Sequence, residues 1–277
     1  MRRAITTGVA IAVVVAALGV AQGGAGVQSA PGDVACRYFK TINGKVGAVD
    51  AGRVAEVAAQ GSDAYEYGVF DVDLRDAFAA AGQKTKRTVE CGARAVTVRL
   101  VQYSLPIFDK RVTTTYTAFE SDQADKLVSF KVNGKRPAGR LVIGSGAEAT
   151  VLGTTVALAS AYQIAGHGGE SIEGNNSLVV VVRATAPPDG LRDLATSLAE
   201  YRVAGGPTVP VHRVVAPGSP LGPGSTGLYV LQFSKQPIGG TFTVPVLNAP
   251  ASQVGDDTAI ETAVVPVERA RVPARLP

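Results

Sequence analysis

The sequence predicts two folded parts, an α+β domain over residues 34–140 and an all-β sandwich over residues 141–249. Three observations predict them. Between Ala35 and Ala81 apolar residues recur at three- and four-residue steps, the period of helices that bury one face. From Val96 to Val132 the period becomes two, that of half-buried strands. Beyond Gly139 short runs of Val, Thr and Leu are separated by Gly and Pro, and no helical spacing returns before Leu191.

The elements follow in order. Ala35, Tyr38, Phe39 and Ile42 mark a first helix, stopped by Asn43-Gly44. Asp50 can N-cap a second, carrying Val54, Val57 and Ala58, with Gly61 just past its end. Ser62 opens a third, in which Tyr67, Phe70, Leu74, Ala77, Phe78 and Ala81 share a face until Gly82. Gly68 in its middle costs about 1 kcal/mol relative to Ala, so a break there, with Asp73 recapping a shorter helix, is a second reading. Lys84, Lys86 and Arg87 read as a solvated loop. Val96–Val101, Val112–Phe119 and Leu127–Val132 then form a meander of at least three antiparallel strands, so helices are followed by a sheet in an α+β pattern. Asn133-Gly134 offers a tight turn, yet Lys135-Arg136-Pro137 follows and is poor strand material; Asn133 to Arg140 is read as the exit from the first domain.

In the second part strands are expected at Leu141–Ile143, Ala149–Leu152, Thr155–Ile164, Leu178–Ala184, Val209–Val214, Leu228–Phe233 and Thr241–Leu247. Their number and spacing suggest a sandwich of immunoglobulin-like architecture. Leu191, Leu194, Leu198 and Tyr201 have helical spacing where a sandwich wants a strand, and the pattern leaves both open. Residues 250–277 read as a tail with Pro and Arg. Pro266 permits Ile260–Val267 at most an edge strand, and Arg269 onward is expected to be disordered.

The first residues bear on compartment. Met1-Arg2-Arg3 is a short basic stretch, and Gly8–Ala21 is an uncharged apolar run, the pattern of a secretory leader spanning residues 1–21. Cleavage is expected after Ala21, with Gly23 to Gly26 as alternative sites and a retained anchor as the rival reading. Residues 22–33 read as a linker. Asp33, three residues before Cys36, breaks the pattern of a lipoprotein. Loss of Arg2 and Arg3 takes the net charge from +4 to about +2. That charge lacks the clustered, aromatic-interleaved basic surface of a nucleic-acid binder, so nucleic acid is not an expected partner. No membrane span is expected after leader removal.

Two of these patterns resemble known families. Leu178-Val-Val-Val-Val-Arg-Ala-Thr185, and Pro223-Gly224-Ser225 followed by Leu228-Tyr-Val-Leu-Gln-Phe233, resemble an exported immunoglobulin-like domain of Gram-positive bacteria. That domain occurs in secreted antigens and in proteins of unknown function. The resemblance spans about Val142 to Leu247, implies a fold and brings no catalytic residue. Phe130-Lys-Val-Asn-Gly134 is similar to the closing strand of secreted nuclear transport factor 2-like cones, a superfamily of enzymes and of accessory domains, and the resemblance implies helices packed on a curved antiparallel sheet.

Chemistry-bearing motifs are sparse. His167 with Glu170 and Glu173 lies among glycines that destroy metal-ligand alignment, and His212 reads as an edge or face residue of a strand. Ser145 stands in Gly-Ser-Gly without the flanking positions of a nucleophile elbow. Asp71 to Asp76 begins like a calcium loop but lacks its sixth-position Gly and twelfth-position acid, and reads as an exposed helix face. No metal or other cofactor is expected. If the first domain holds a pocket, Tyr103, Tyr116 and Glu90 are the polar groups expected to line it. Cys36 and Cys91 are expected to pair, since an exported chain with two cysteines favours a bridge and this one ties the first helix to the sheet. A nucleophilic Cys91 is the weaker alternative, because Glu90 beside it would raise its pKa. The expected function is that of an exported, non-catalytic envelope or extracellular binding protein. Its partner is another protein or an envelope polymer. The alternative is a small-molecule-binding or hydrolytic cone.

Overall fold

The structure, a computed structural model, describes residues 29–83, 85–102, 111–137, 139–164, 177–234 and 236–269. The residues read as a leader, Tyr103, His167 with Glu170 and Glu173, Arg271 and Arg275 lie outside these residues. The described chain is mostly antiparallel sheet with three α-helices.

Ser29, inside the expected linker, already takes part in the fold. Its backbone N–H and hydroxyl both donate to the Asp125 carboxylate, at 3.1 and 2.8 Å. Helix α1 (Pro31–Ile42) follows, with Pro31 in its first turn where no N–H is needed, and buries Val34, Ala35, Tyr38, Phe39 and Ile42. Helix α2 (Ala51–Val57) is capped by Asp50, which accepts from the Arg53 N–H at 2.8 Å. Helix α3 (Asp63–Ala80) is capped by Ser62 and runs unbroken through Gly68. A Cβ on Gly68 would stand 2.8 Å from Val54 Cγ1 and 2.9 Å from the Tyr38 hydroxyl, so the glycine lets α1 and α2 approach α3. Gly68→Ala is therefore expected to destabilise by about 1–3 kcal/mol in urea melts, opposite in sign to the gain that helix propensity alone would give.

Strands β1 (Thr85–Cys91), β2 (Ala95–Gln102), β3 (Arg111–Ser121) and β4 (Leu127–Val132) form a four-stranded sheet in that order, antiparallel throughout. The expected loop at Lys86-Arg87 is thus strand β1. A bulge in β3, where Ala118 takes φ +53°, bends the sheet. Asn133 and Gly134, both at positive φ, close a two-residue turn, and Val132 and Lys135 exchange bonds of 2.8 and 3.0 Å. The chain thus folds back for one bridge and leaves at Arg136-Pro137.

The rest is two facing sheets. One comprises β5 (Leu141–Ile143), β6 (Glu148–Val151), β7 (Thr154–Ile164) and β8 (Ser177–Thr185). The other begins with β9 (Asp193–Leu194), β10 (Glu200–Val203) and β11 (Thr208–Pro210). Then β12 (Arg213–Val215) and β13 (Thr226–Phe233) join the first sheet, while β14 (Gly240–Leu247) and β15 (Ile260–Val267) join the second. The strand expected over Val209–Val214 is two strands in different sheets. It breaks after Pro210, which has no backbone N–H to continue a ladder. The ambiguous Leu191–Tyr201 resolves into β9, a 3-10 turn over Thr196–Leu198 and the start of β10. The sheet pair also reaches past residue 249. β15 pairs along its length with β14 as an edge strand and buries Ala263, Val265 and Val267. Arg269, expected to begin a disordered tail, instead donates to Glu66 of α3 at 2.9 Å.

The first sheet is buried on both faces. Leu178, Val180, Val182 and Ala184 of β8 face the second sheet, with Tyr229, Leu231 and Phe233 of β13. The intervening Val179 and Val181, with Val230, belong instead to the core around α1 and α3. A strand buried on both sides reads as an unbroken aliphatic run, and that is why Leu178–Val182 does not alternate. The bulge in β7 at Ala159 turns Ser160 and Tyr162 toward α3 while Leu158 and Ala161 keep to the sheet–sheet core. Helix α3 therefore lies between two sheets. It buries Ala64, Tyr67, Phe70, Val72, Arg75 and Ala77, positions that span its circumference rather than one face.

Candidate functional site

Cys36 and Cys91 are bonded, with Cα atoms 5.5 Å apart, tying α1 to the end of β1. The bridge sets the parity of β1. Cys91 faces the helices, Val89 and Arg87 follow inward by alternation, and Glu90 points away. Glu90 pairs instead with Arg99 at 3.0 Å on the open face of the sheet, both side chains more than half exposed. It therefore does not line the interior, contrary to the expectation for it.

Tyr116 does face inward. A cavity of about 150 Å³ lies on one flank of α3, between Tyr67, Phe70 and Asp71 of the helix, Tyr116 and Arg87 of the sheet, and Tyr162 of β7. The aromatic rings interlock: Phe39 and Tyr116 have centroids 4.1 Å apart, and Tyr67 stands 5.2 Å from Phe130 and 5.8 Å from Tyr162. The Tyr67 and Tyr116 hydroxyls are 2.9 Å apart. Arg87 Nη1 donates to Asp71 Oδ2 at 2.6 Å and to Asn43 Oδ1 at 3.0 Å. Burial alone would push the Arg87 guanidinium down, and the Asp71 carboxylate more than reverses that. Arg87 and Asp71, read from sequence as a loop cation and an exposed helix acid, are thus the charged pair of the interior. Only 12% and 14% of their side-chain surfaces are exposed. Arg75, 3% exposed, caps the other end of the same region. It donates to the carbonyls of Ile42 and Gly44 at 2.5 and 3.0 Å, groups that the end of α1 leaves without helical partners.

The phenols of this region are held neutral. Burial pushes Tyr38, Tyr67 and Tyr116 well above the ordinary value for tyrosine, and pushes Tyr162 up to about 12. In the sheet–sheet core burial likewise takes Tyr201 to about 12. A folded pKa above the unfolded value of about 10 gives stability that is complete below pH 10 and is lost as pH rises through the folded value. Phenolate absorbance from these buried tyrosines is accordingly expected to rise together with unfolding above pH 10. A smooth titration of all tyrosines near pH 10 with the fold intact would contradict the burial described.

The opposite flank of α3 carries a larger concavity, an open-sided cleft of about 540 Å³ between α3, the α2 N-terminus and the first sheet of the pair. Its floor is apolar, with Val69 and Val72 on the helix and Ile143 and Leu228 on the sheet. Asp50, Asp73 and Asp76 stand on the helical side and Arg183 of β8 on the sheet side. Ser160, turned toward the helix by the β7 bulge, donates to Asp73 Oδ2 at 2.9 Å and links the two layers. Burial raises the Asp73 pKa against the opposing effects of the Ser160 bond and the Arg183 charge. The sequence marks Asp50 and Asp73 only as helix caps and Asp76 only as part of an exposed helix face, and nothing in it joins these residues into a site. They come from the start of α2 and from α3, β5, β7, β8 and β13, and the docking of the helices on the sheet brings them together.

His212 is exposed, and its backbone N–H bonds the Gln232 carbonyl at 2.7 Å. Among the described residues no three His, Cys, Asp or Glu side chains are grouped to hold a metal ion, and no helix is long and apolar enough to cross a membrane. No family model, curated protein or solved structure matches the chain.

Proposed function

We propose that the chain is a non-catalytic binding protein, exported to the cell envelope or the extracellular space, that contacts its partner through the cleft between α3 and the neighbouring sheet. The cleft carries this reading. It has the size of a ligand site, roughly 300–1,000 Å³, it lies where two layers meet, and it joins an apolar floor to a few fixed charges. The inner cavity is smaller, and its polar groups already serve the fold: Asp71 holds Arg87, and Tyr67 holds Tyr116. Export rests on the basic-apolar leader and accords with the cysteine bridge.

The family likenesses belong to the same proposal. The helices and the β1–β4 sheet are read as an α+β domain of cone type, and the sheet pair as an immunoglobulin-like sandwich with a strand order of its own. Its consecutive long strands β7 and β8 pair within one sheet, where the ABED/CFG order would separate the second and third strands. A second reading, a small-molecule site or hydrolase in the inner cavity, has Tyr116 and the Asp71–Arg87 pair in its favour.

Two measurements decide between them. Fluorogenic ester, peptide and glycoside substrates should all survive incubation with the purified protein; turnover that disappears in Tyr116→Phe would support the cavity instead. A photoreactive residue at Leu228 should give a discrete adduct in the native envelope, and the same residue at Thr243, on the far sheet, should not. Equal labelling from both positions would contradict the assignment of the cleft.

A further inference from the structure

The proposed binding role leaves open what the cleft accepts, and its lining narrows the answer. Three carboxylates face one guanidinium, and the helical layer they belong to, residues 31–83, itself carries eight Asp and Glu against five Lys and Arg. The cleft therefore gathers the negative charge of the helical layer over an apolar floor. The carboxylates keep accepting capacity. Asp50 caps α2 through Oδ1 at 2.8 Å, Asp73 takes Ser160 through Oδ2 at 2.9 Å, and Asp76 takes the Gly47 N–H through Oδ1 at 3.3 Å. Asp76 Oδ1 also lies 3.8 Å from Arg75 Nε, and a carboxylate has a second oxygen with its own accepting capacity. The burial that raises Asp73 is a desolvation cost that an added cation would relieve. The same helix already receives a guanidinium near one end of the cleft, where Arg269 meets Glu66 at 2.9 Å.

Resting on the binding role proposed above, we infer that the cleft docks an arginine side chain of a partner polypeptide, its stem on Val69 and Leu228 and its guanidinium against Asp73 and Asp76. Arginine suits the site better than lysine. Its planar fork can address two carboxylates at once, and its weakly hydrated head is cheaper to bring onto an apolar floor. Arg183 is then a competitor inside the site, since its charge already acts on Asp73. That gives the inference a sign that a nonspecific acidic surface does not share: removing Arg183 should tighten binding, and removing either carboxylate should weaken it.

The test is an amide chemical-shift titration of the full secreted chain with the peptide acetyl-Ala-Leu-Arg-Leu-Ala-amide and with its citrulline counterpart, which keeps the shape and loses the charge. Saturable shifts are expected at Val69, Gly144 and Leu228, with the citrulline peptide about tenfold weaker. Arg183→Ala should bind the arginine peptide about three- to tenfold more tightly, and Asp76→Asn should bind it more weakly. Equal affinity for the two peptides, no response to Arg183→Ala, or shifts mapping elsewhere would overturn the inference. So would binding seen only after the chain is cut back to Arg269, because the occupant would then be the protein's own segment bearing Arg271 and Arg275. A photoadduct at residue 228 with no arginine preference would remove this inference and leave the binding role standing. Substrate turnover would remove the non-catalytic role without touching the peptide result.

Discussion

Asp71→Ala is expected to lower the unfolding free energy by about 3–5 kcal/mol, because it leaves the Arg87 guanidinium buried without its carboxylate. The pair is only 12% and 14% exposed, so solvent screens little of the loss. Asn43 would remain as an acceptor for Arg87 Nη1, but a neutral amide oxygen does not replace a charge. The double replacement Asp71→Leu with Arg87→Met should cost less than Asp71→Ala alone, since it removes both charges from the interior and fills the space. Chemical denaturation of the parent protein and the two variants checks this. A double variant less stable than Asp71→Ala would show that the pair contributes net stability beyond its mutual compensation.

Removing the Cys36–Cys91 bridge is expected to cost a similar amount. The bridge closes a loop of sequence separation 55, and chain entropy alone assigns that about 4 kcal/mol. Helix α1 would still bury Tyr38, Phe39 and Ile42, so the protein with both cysteines changed to serine should keep its native spectrum and melt earlier. Intact mass after alkylation gives the direct check: thiols should react only after reduction. Two reactive thiols in the purified, unreduced protein would contradict the bridge.

The elements legible in the sequence were those whose neighbours in space are also neighbours along the chain. Helical spacing placed α1, α2 and α3, and the aliphatic run Leu178–Val182 placed a strand, because burial on each side is written into consecutive residues. What stayed hidden depended on distant partners. Lys86-Arg87 read as a solvated loop because nothing local says that Asp71 waits sixteen residues earlier to pair with Arg87. Gly68 read as a weak point in α3 because the Val54 and Tyr38 side chains that require it come from other helices. The place of Glu90 was within reach: a bridge from Cys91 to a helix turns Cys91 inward, and alternation then turns its neighbour outward. Pro210 likewise marked where one expected strand divides between two sheets. The cleft had no local signal: Arg183 and Leu228 meet through the pairing of β8 with β13, Ile143 lies elsewhere in the same sheet, and Val69 joins them only when α3 docks.

The cleft exists only if α3 is held by both layers at once, so the shared helix is the central claim. Native-state hydrogen exchange on the full chain tests it most directly. If α3 is common to both cores, the amides of Phe70 and Val72 should exchange with the same opening free energy as Val180 and Val182 of β8, and their exchange should respond equally to denaturant. Opening of α3 with the β1–β4 sheet at a free energy lower than β8 by about 2 kcal/mol or more would mean that the layers separate as independent units. That result would contradict the account.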